Sequence, residues 1–246
     1  TLENIPGLVY LVTSDITIPV GVTLTIQPGV IVKFDAVDNG GGWNSWYYRR
    51  NIIVNGTLNL QGTSSQKVIF TSSRDDTYGG DTNGDGAGST AAAGNWGYIQ
   101  YTNPSNILHD AVIRYGGLGG EYGSGGTSNT QMVWMAGSAL GTFEVRDCVI
   151  EKAYATAIYA ESAQTPWIHN NTIRNSSTGI SATTATVANN SFSACSGSGV
   201  SLENGTIQGN TITGSNWAVY ISGTTTGTVV SNNTITNNTF PLYQGP

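Results

Sequence analysis

Acidic and amide side chains gather in one glycine-rich stretch of the sequence. It reads Asp81-Thr-Asn83-Gly-Asp85-Gly86, with oxygen donors at its first, third and fifth positions and a glycine at the sixth. This is the first half of an EF-hand-type calcium loop, in which the glycine allows a sharp turn. The glutamate that closes such a loop at position twelve is absent, because Ala92 stands there.

Two more acids, Asp75 and Asp76, come a few residues earlier in the same stretch. If the chain folds back, they supply the missing carboxylate, and a bound cation offsets the repulsion among the four aspartates. The sequence therefore predicts a structural calcium site formed by Asp75, Asp76, Asp81, Asn83 and Asp85. A solvated acidic turn without metal is the alternative.

Aromatic residues gather in a second stretch, where Trp43, Trp46, Tyr47 and Tyr48 are followed by two arginines. Sugars bind by stacking their C–H faces on aromatic rings while polar side chains fix the hydroxyls. These four aromatics are therefore candidate carbohydrate-binding residues. The same loop could instead cover an exposed sheet edge without binding anything.

The element that must position these stretches is a repeat. One phrase recurs along the second half of the chain, as IHNNTI from 168, VANNSF from 187, IQGNTI from 207 and VSNNTI from 230, with looser copies VRDCVI from 145 and LHDAVI from 108. Each copy is a short apolar alternation bounded by turn residues, which is typical of strands. A unit this short cannot bury its apolar side alone, so the copies must stack.

Stacking places equivalent residues of successive coils in columns about 4.8 Å apart. We expect an asparagine column (Asn171, Asn190, Asn210, Asn233), and inward apolar columns through Ile113, Ile150, Ile173, Phe192, Ile212 and Ile235 and through Ile158, Ile180, Val200 and Val219. On the outer surface we expect Arg114, Glu151 and Arg174 to alternate in charge. We expect His109 and His169 to be isolated surface side chains, and Cys148 and Cys195 to be buried free thiols.

The first half of the chain has the same short strands, and three long stretches interrupt the rhythm, at about 35–50, 74–95 and 116–130. Loops this long in a compact repeat are usually functional or ordered by a ligand. We predict a single domain over residues 1–246, with these stretches as insertions.

Four segments carry a family resemblance: TLTIQPGVIVKF at 23–34, VNGTLNLQGT at 54–63, DTNGDG at 81–86 and GNWG at 94–97. With them the chain resembles the right-handed parallel β-helix proteins of secreted and surface polypeptides. The resemblance implies an all-β, pectate-lyase-like solenoid that is usually extracellular. The family includes polysaccharide lyases, glycoside hydrolases and non-catalytic adhesion or binding modules, so the fold alone does not identify an activity.

The amino-acid composition disfavours some classes of binding partner. The 246 residues carry a formal net charge of −6 with only 10% charged residues, and no basic cluster is present, so nucleic acid is a poor partner. No apolar run is long enough to predict a membrane span. The hydroxyl- and amide-rich composition favours an extracellular or cell-surface location, and the chain could belong to a larger multidomain protein.

Three hypotheses follow. The leading one is a non-catalytic, calcium-stabilised surface module that binds a polysaccharide or a cell-surface glycan, with no catalytic residues assigned. The second is a lyase or hydrolase of acidic polysaccharides that uses Asp75, Asp76, Asp81 or Asp85 with Arg74 or Arg114. The third is a structural stalk segment of an adhesin.

Overall fold

The computed structural model describes residues 1–36, 46–122, 127–137, 143–162, 164–222 and 227–245, with the backbone alone for Trp46, Tyr47, Glu121 and Tyr122. Within these ranges the secondary structure consists of strands, without a helix. In chain order the strands are β1 (Tyr10–Val12), β2 (Ile16–Ile18), β3 (Thr23–Ile26), β4 (Ile31–Phe34), β5 (Trp46–Tyr48), β6 (Ile52–Val54), β7 (Thr57–Leu60), β8 (Val68–Ser72), β9 (Ile99–Tyr101), β10 (Ile107–His109), β11 (Ala111–Arg114), β12 (Gly120–Tyr122), β13 (Thr127–Ser128), β14 (Gln131–Met135), β15 (Glu144–Arg146), β16 (Val149–Glu151), β17 (Thr156–Ala160), β18 (Trp167–His169), β19 (Thr172–Arg174), β20 (Thr178–Ala188), β21 (Ser191–Ser193), β22 (Ser198–Gln208), β23 (Thr211–Thr213), β24 (Trp217–Ile221), β25 (Val229–Ser231), β26 (Thr234–Thr236) and β27 (Phe240–Gln244).

Each coil of the chain contributes a strand to each of three faces in turn. Face 1 contains β1, β4, β8, β11, β16, β19, β21, β23 and β26 in parallel order. Face 2 contains β2, β6, β9, β14, β17, β24, β27 and the first halves of β20 and β22. Face 3 contains β3, β7, β10, β15, β18, β25 and the second halves of β20 and β22. The all-β parallel β-helix predicted from the repeats is thus confirmed.

The inward columns also match the prediction. Ile113, Ile150, Ile173, Phe192 and Ile212 pair in register along face 1, and all five are fully buried. Ile158, Ile180, Val200 and Val219 do the same along face 2. One contiguous apolar core extends from Val12 to Ile221. Burying each such side chain stabilises the fold by about 1.5–3 kcal/mol.

The corner between face 3 and face 1 explains the repeated Asn-Asn pair. The first residue of the pair adopts a left-handed φ, 55° at Asn170 and at Asn189, which asparagine tolerates better than most residues. The second residue points inward, and the Nδ2 atom of Asn171 donates to Oδ1 of Asn190 at 3.0 Å while Asn190 donates to Asn210 at 3.1 Å. The predicted asparagine column is therefore a continuous hydrogen-bonded ladder.

The three insertions leave the solenoid at one corner. Residues 35–50 connect β4 to β6, residues 74–95 connect β8 to β9, and residues 116–130 connect β11 to β14, so each runs from face 1 to face 2. Because these are consecutive coils, the insertions emerge directly above one another. No helix of the described ranges has the length and hydropathy of a membrane-spanning segment.

Candidate functional site

Insertion 74–95 folds back over the outer surface of face 1. Lys33 belongs to the outward column of β4, yet its side chain is fully buried and its Nζ donates to the carbonyl of Gly80 at 2.6 Å. Burial lowers the pKa of Lys33, and the negative charges of Asp75, Asp76 and Asp81 partly offset this. The insertion is thus attached to the solenoid by a buried cation.

Asp75 is a second attachment point. It is 2% exposed; its Oδ2 accepts the hydroxyl of Thr71 at 2.5 Å, and its Oδ1 accepts the hydroxyl of Thr77 at 2.6 Å. The Arg114 Nη1 atom lies 3.7 Å from the same Oδ2. Asp75 therefore clamps the start of the insertion to face 1, whereas Asp76 is exposed to solvent.

The outer column of face 1 continues with alternating charges, as predicted. Glu151 is 4% exposed and lies between two arginines, with Oε1 3.1 Å from Nε of Arg114 and Oε2 2.6 Å from Nε of Arg174. Because both of its carboxylate oxygens face guanidinium groups, Glu151 is poorly placed to contact a substrate. This column is a salt-bridge ladder.

Beside this ladder lies a cleft of about 270 Å³, bordered by Arg74, Asp75, Asp76, Thr77, Ser89 and Tyr115 among others. The hydroxyl oxygen of Tyr115 accepts hydrogen bonds from Arg114 Nη2 at 2.8 Å and from Lys152 Nζ at 2.9 Å. The sequence analysis missed Tyr115 and Lys152. The signal that could have identified them is their position in the repeat. Each directly follows an outward residue of face 1 and takes a left-handed φ, 66° at Tyr115 and 56° at Lys152.

The predicted calcium loop forms a compact turn. Asp81 Oδ1 accepts the backbone N–H groups of Gly84 at 2.8 Å and Asp85 at 3.2 Å, and its Oδ2 accepts that of Gly86 at 2.8 Å. The bond from Gly86 is the main cause that lowers the pKa of the Asp81 carboxyl. The side chains of Asp81, Asn83 and Asp85 are all exposed, and the Asn83 amide donates to Asp85 Oδ2 at 2.8 Å.

The oxygen donors of this turn suit a hard cation such as calcium. Asp75, in contrast, already accepts bonds from Thr71 and Thr77 and lies beside Arg114. Within the part of the chain that the structure describes, no three His, Cys, Asp or Glu side chains come together in a way that could hold a metal ion. Any cation held here would need amide, backbone or water oxygens besides Asp81 and Asp85.

The aromatic stretch becomes part of a small sheet. Strand β5 pairs antiparallel with β12, Tyr48 opposite Gly120 and Trp46 opposite Tyr122, and β12 pairs with β13. Tyr48 is 64% exposed. Trp43 and the side chains of Trp46 and Tyr47 lie outside the described residues.

All three insertions meet at this sheet. The backbone N–H of Arg49 donates to the carbonyl of Gly119 at 3.0 Å, and its Nε donates to the carbonyl of Gly94 at 3.1 Å. Gly94 in turn lies against Tyr154, whose side chain is 44% exposed. The corner between faces 1 and 2 thus carries exposed aromatic side chains on a hydrogen-bonded platform.

Trp96 anchors the platform to the core. Its ring is fully buried and stacks on Phe34 with ring centroids 4.1 Å apart, and its Nε1 donates to the carbonyl of Arg114 at 2.8 Å. Gly116 packs so closely that an added Cβ would lie 2.5 Å from the Trp96 ring. The Gly-Asn-Trp-Gly segment at 94–97 therefore has a structural role that the sequence analysis did not assign.

The opposite corner holds a second concavity, of about 510 Å³, bordered by Lys67, Asp110, Asp147 and Cys148 among others. Its charges are paired: Lys67 Nζ lies 3.4 Å from Asp110, and Asp147 accepts from Arg146 at 2.9 Å. Both cysteines are free and buried, as predicted. Burial raises the pKa of Cys148 to about 12, so its thiol stays protonated and unreactive at neutral pH.

The two histidines share an outward column with Arg146 between them, as predicted. The prediction that both are isolated surface side chains was wrong. His169 is 8% exposed, its Nε2 lies 3.0 Å from Glu144 Oε1, and its ring stacks on Trp167 at 3.9 Å. The column alone does not predict these partners, because Glu144 on the preceding coil and Trp167 on the same strand both lie in the neighbouring column.

Comparison with protein families matches residues 92–241 to the family described as the right-handed beta helix region. No curated protein matches the chain. The family match covers the regular coils and the insertion at 116–130, and it begins just before Trp96.

Proposed function

Because this chain belongs to the right-handed β-helix family, whose fold serves many unrelated activities, we propose a function from its own surface: a non-catalytic polysaccharide-binding module. In this proposal the glycan contacts the aromatic corner built by the insertions. The protein acts outside the cell or at its surface, which the low content of charged residues supports. Accessibility to protease added to intact cells of the source tests this location.

The observation that carries the proposal is the pairing of β5 with β12. It converts two insertions that are distant in sequence into one platform and presents Tyr48 at 64% exposure. Large exposed aromatics that are held by ordered backbone have little entropy to lose on binding, which favours sugar stacking. A loop that merely covered a sheet edge would bury this ring.

Two buried acids of face 1 support a non-catalytic role. Asp75 and Glu151 are buried and paired, with Thr71 and Thr77 around the first and two arginines around the second. Hydrolysis needs a carboxyl group that can give up a proton and a second carboxylate nearby. Neither buried acid has a free oxygen edge for this chemistry.

The test is a pull-down on insoluble polysaccharides with Tyr48→Ala and Trp46→Ala variants. We expect each variant to bind about tenfold more weakly, since each removes one aromatic ring from the chain. Trp167→Ala is the matched control, because Trp167 is an exposed aromatic on face 3. Equal binding by all variants would contradict the proposed site, and absence of binding by the wild-type chain would favour the stalk hypothesis.

We also propose that calcium stabilises the turn from Asp81 to Gly86. A cation that binds only the folded state raises stability by mass action, about 2.7 kcal/mol at a hundredfold excess over its dissociation constant. The expected result is a melting temperature that falls on chelation in the wild type and much less in Asp85→Asn. An equal melting temperature with calcium and with chelator would contradict the calcium proposal.

A specific observation favours a second candidate, a lyase of acidic polysaccharides. The cleft beside insertion 74–95 brings Tyr115, whose hydroxyl contacts two cations, near Arg74 and Asp76. A tyrosine hydroxyl can transfer a proton, and cations bind uronate carboxylates. Absorbance of unsaturated uronate ends tests this: the enzyme hypothesis expects turnover that Tyr115→Phe abolishes, and no turnover by the wild type contradicts it.

A further inference from the structure

Face 2 has an outer surface of a different character from the other two faces. One outward column runs through all nine of its strands, from Thr17 to Tyr243, with Ile53, Gln100, Trp134, Tyr159, Ser181, Ser201 and Tyr220 between. None of these side chains is charged, and each is at least partly exposed.

The outer columns of the other two faces contain charged side chains. The equivalent outer column of face 1 holds Lys33, Arg114, Glu151 and Arg174, and that of face 3 holds His109, Arg146 and His169. Glu161 lies beside the face 2 column and accepts the Trp134 indole N–H at 3.1 Å and the Gly137 N–H at 2.8 Å. Among the residues that the structure describes, the face 2 column therefore offers hydroxyl, amide and aromatic groups to a ligand, with one aliphatic side chain at Ile53, and contains no cation.

Aromatic rings occupy two parts of this column. Trp134 and Tyr159 are neighbours on β14 and β17, and Trp134 meets Tyr98 edge to face at 5.3 Å. Four coils beyond Trp134, Tyr220 stacks on Tyr243 at 4.8 Å, with Trp217 and Phe240 alongside. Phe240 is 48% and Tyr243 38% exposed. The rings are held in place by one another, so their order is present before any ligand binds.

The two aromatic groups are separated by Ser181 and Ser201 and lie in one line parallel to the solenoid axis. At about 4.8 Å per coil, Trp134 and Tyr220 are roughly 19 Å apart. A ligand that contacts both must be long and straight. This surface favours an uncharged polymer over an anionic one, because an anionic polymer would leave its carboxylates unpaired here.

We propose that face 2 binds a linear neutral polysaccharide whose chain runs along the solenoid axis, stacking on the two aromatic groups and bonding to the serines between them. This rests on the proposed function and adds the class of glycan and a second binding surface. The insertion corner lies beside the same face, since Gly119 packs against Tyr98. One extended chain can therefore reach both.

The experiment compares hydroxyethylcellulose and soluble starch with polygalacturonate and alginate, by affinity electrophoresis at low and high NaCl. We expect binding to a neutral polymer that salt does not weaken. The double variant Tyr220→Ala/Tyr243→Ala should bind about tenfold more weakly, whereas Tyr220→Phe/Tyr243→Phe, which keeps both rings, should bind like the wild type. Thr213→Ala/Thr236→Ala is the matched control, an outward pair on the face 1 strands of the same region.

The outcomes separate this inference from the proposed function. Loss of binding with Tyr48→Ala but not with the double variant overturns the face 2 site and leaves the insertion corner intact. If the protein binds only acidic polymers, and salt weakens that binding, the proposal of a neutral polysaccharide is overturned. Failure to bind any polymer overturns both proposals. A dimer that the double variant dissociates, seen by sedimentation, would show that face 2 is occupied by a second copy instead.

Discussion

The corner between face 1 and face 2 is built in two ways along the same solenoid. In the second half of the chain, the face 1 and face 2 strands are joined by short connections, residues 175–177, 194–197, 214–216 and 237–239. In the first half, the corresponding connections are the insertions 35–50, 74–95 and 116–130. Both versions return the chain to the same face in parallel register. The solenoid therefore does not need the insertions in order to turn.

The difference lies in what satisfies the buried polar groups. In the short corners the side chains of one column bond to the backbone of the neighbouring coil, as when Asn238 Oδ1 accepts the Ser215 N–H at 2.8 Å. In the long corners the insertion itself is held by buried groups such as Lys33, Asp75 and Trp96. Regular corners make the fold repeat, and long corners supply a surface that can bind.

The substitution expected to destabilise the first half of the chain most is Trp96→Ala. Removing a fully buried ring that stacks on Phe34 and bonds to the Arg114 carbonyl should cost about 4 kcal/mol. Because a solenoid is stabilised between nearest neighbours, hydrogen exchange should speed up in the first-half coils and change little beyond Thr172. Trp167→Ala, at an exposed ring, should cost less than about 1 kcal/mol; uniform exchange along the chain would show that the halves do not differ.

The corresponding destabilising substitution in the second half of the chain is Asn190→Ala. The Asn190 amide donates to the carbonyls of Ile168 and Ala188 and accepts from Asn171, so its loss leaves buried partners unpaired. We expect a loss of about 3 kcal/mol in urea unfolding, with exchange now faster in the coils around β21. Ser191→Ala, at the exposed neighbouring position, should be within about 0.5 kcal/mol of the wild type.

The sequence predicted the regular half because its rules are local. The phrase Asn-Asn-Thr/Ser followed by an apolar residue, with Gly-Asn in the copy from 207, specifies a left-handed φ, an inward amide and an inward strand residue at once, and it repeats at 168, 187, 207 and 230. Columns follow directly from such a period. The alternation of Arg114, Glu151 and Arg174 was predicted for the same reason.

The sequence could not predict the contacts of the insertions, since these join residues without a shared period. Nothing in the amino-acid sequence indicates that β5 pairs with β12. The strand alternation places Lys33 on the outer surface, and the sequence does not indicate that Gly80 covers it. Asp75 looked like a calcium ligand by its nearness in sequence to Asp81. Its partners Thr71 and Arg114 come from two adjacent coils of face 1, which sequence spacing does not show.

Lys33→Met tests the buried attachment through pH. The folded pKa of Lys33 lies below its ordinary value, so between that pKa and about 10.5 the unfolded chain binds more protons than the folded one. Stability contributed by this group therefore rises with pH in that window, by at most about 1.4 kcal/mol per pH unit. The wild type should gain stability relative to the variant as pH increases there. A constant difference would mean that Lys33 is not desolvated.

The smallest expected effect lies in the short corners themselves. Ala194 and Gly214 occupy equivalent positions of successive coils with left-handed φ angles of 53° and 66°, and an added Cβ at Gly214 would meet nothing closer than 3.5 Å. Ala194→Gly should therefore stabilise the protein by about 0.5–1 kcal/mol, and Gly214→Ala should destabilise it by about 1 kcal/mol, because only the backbone strain changes. Thermal melting curves of each variant beside the wild type measure the sign of each stability change. If both substitutions shift stability in the same direction, the regular corners are governed by contacts with the next coil instead of by local backbone preference, and the contrast with the insertion-bearing corners loses its physical basis.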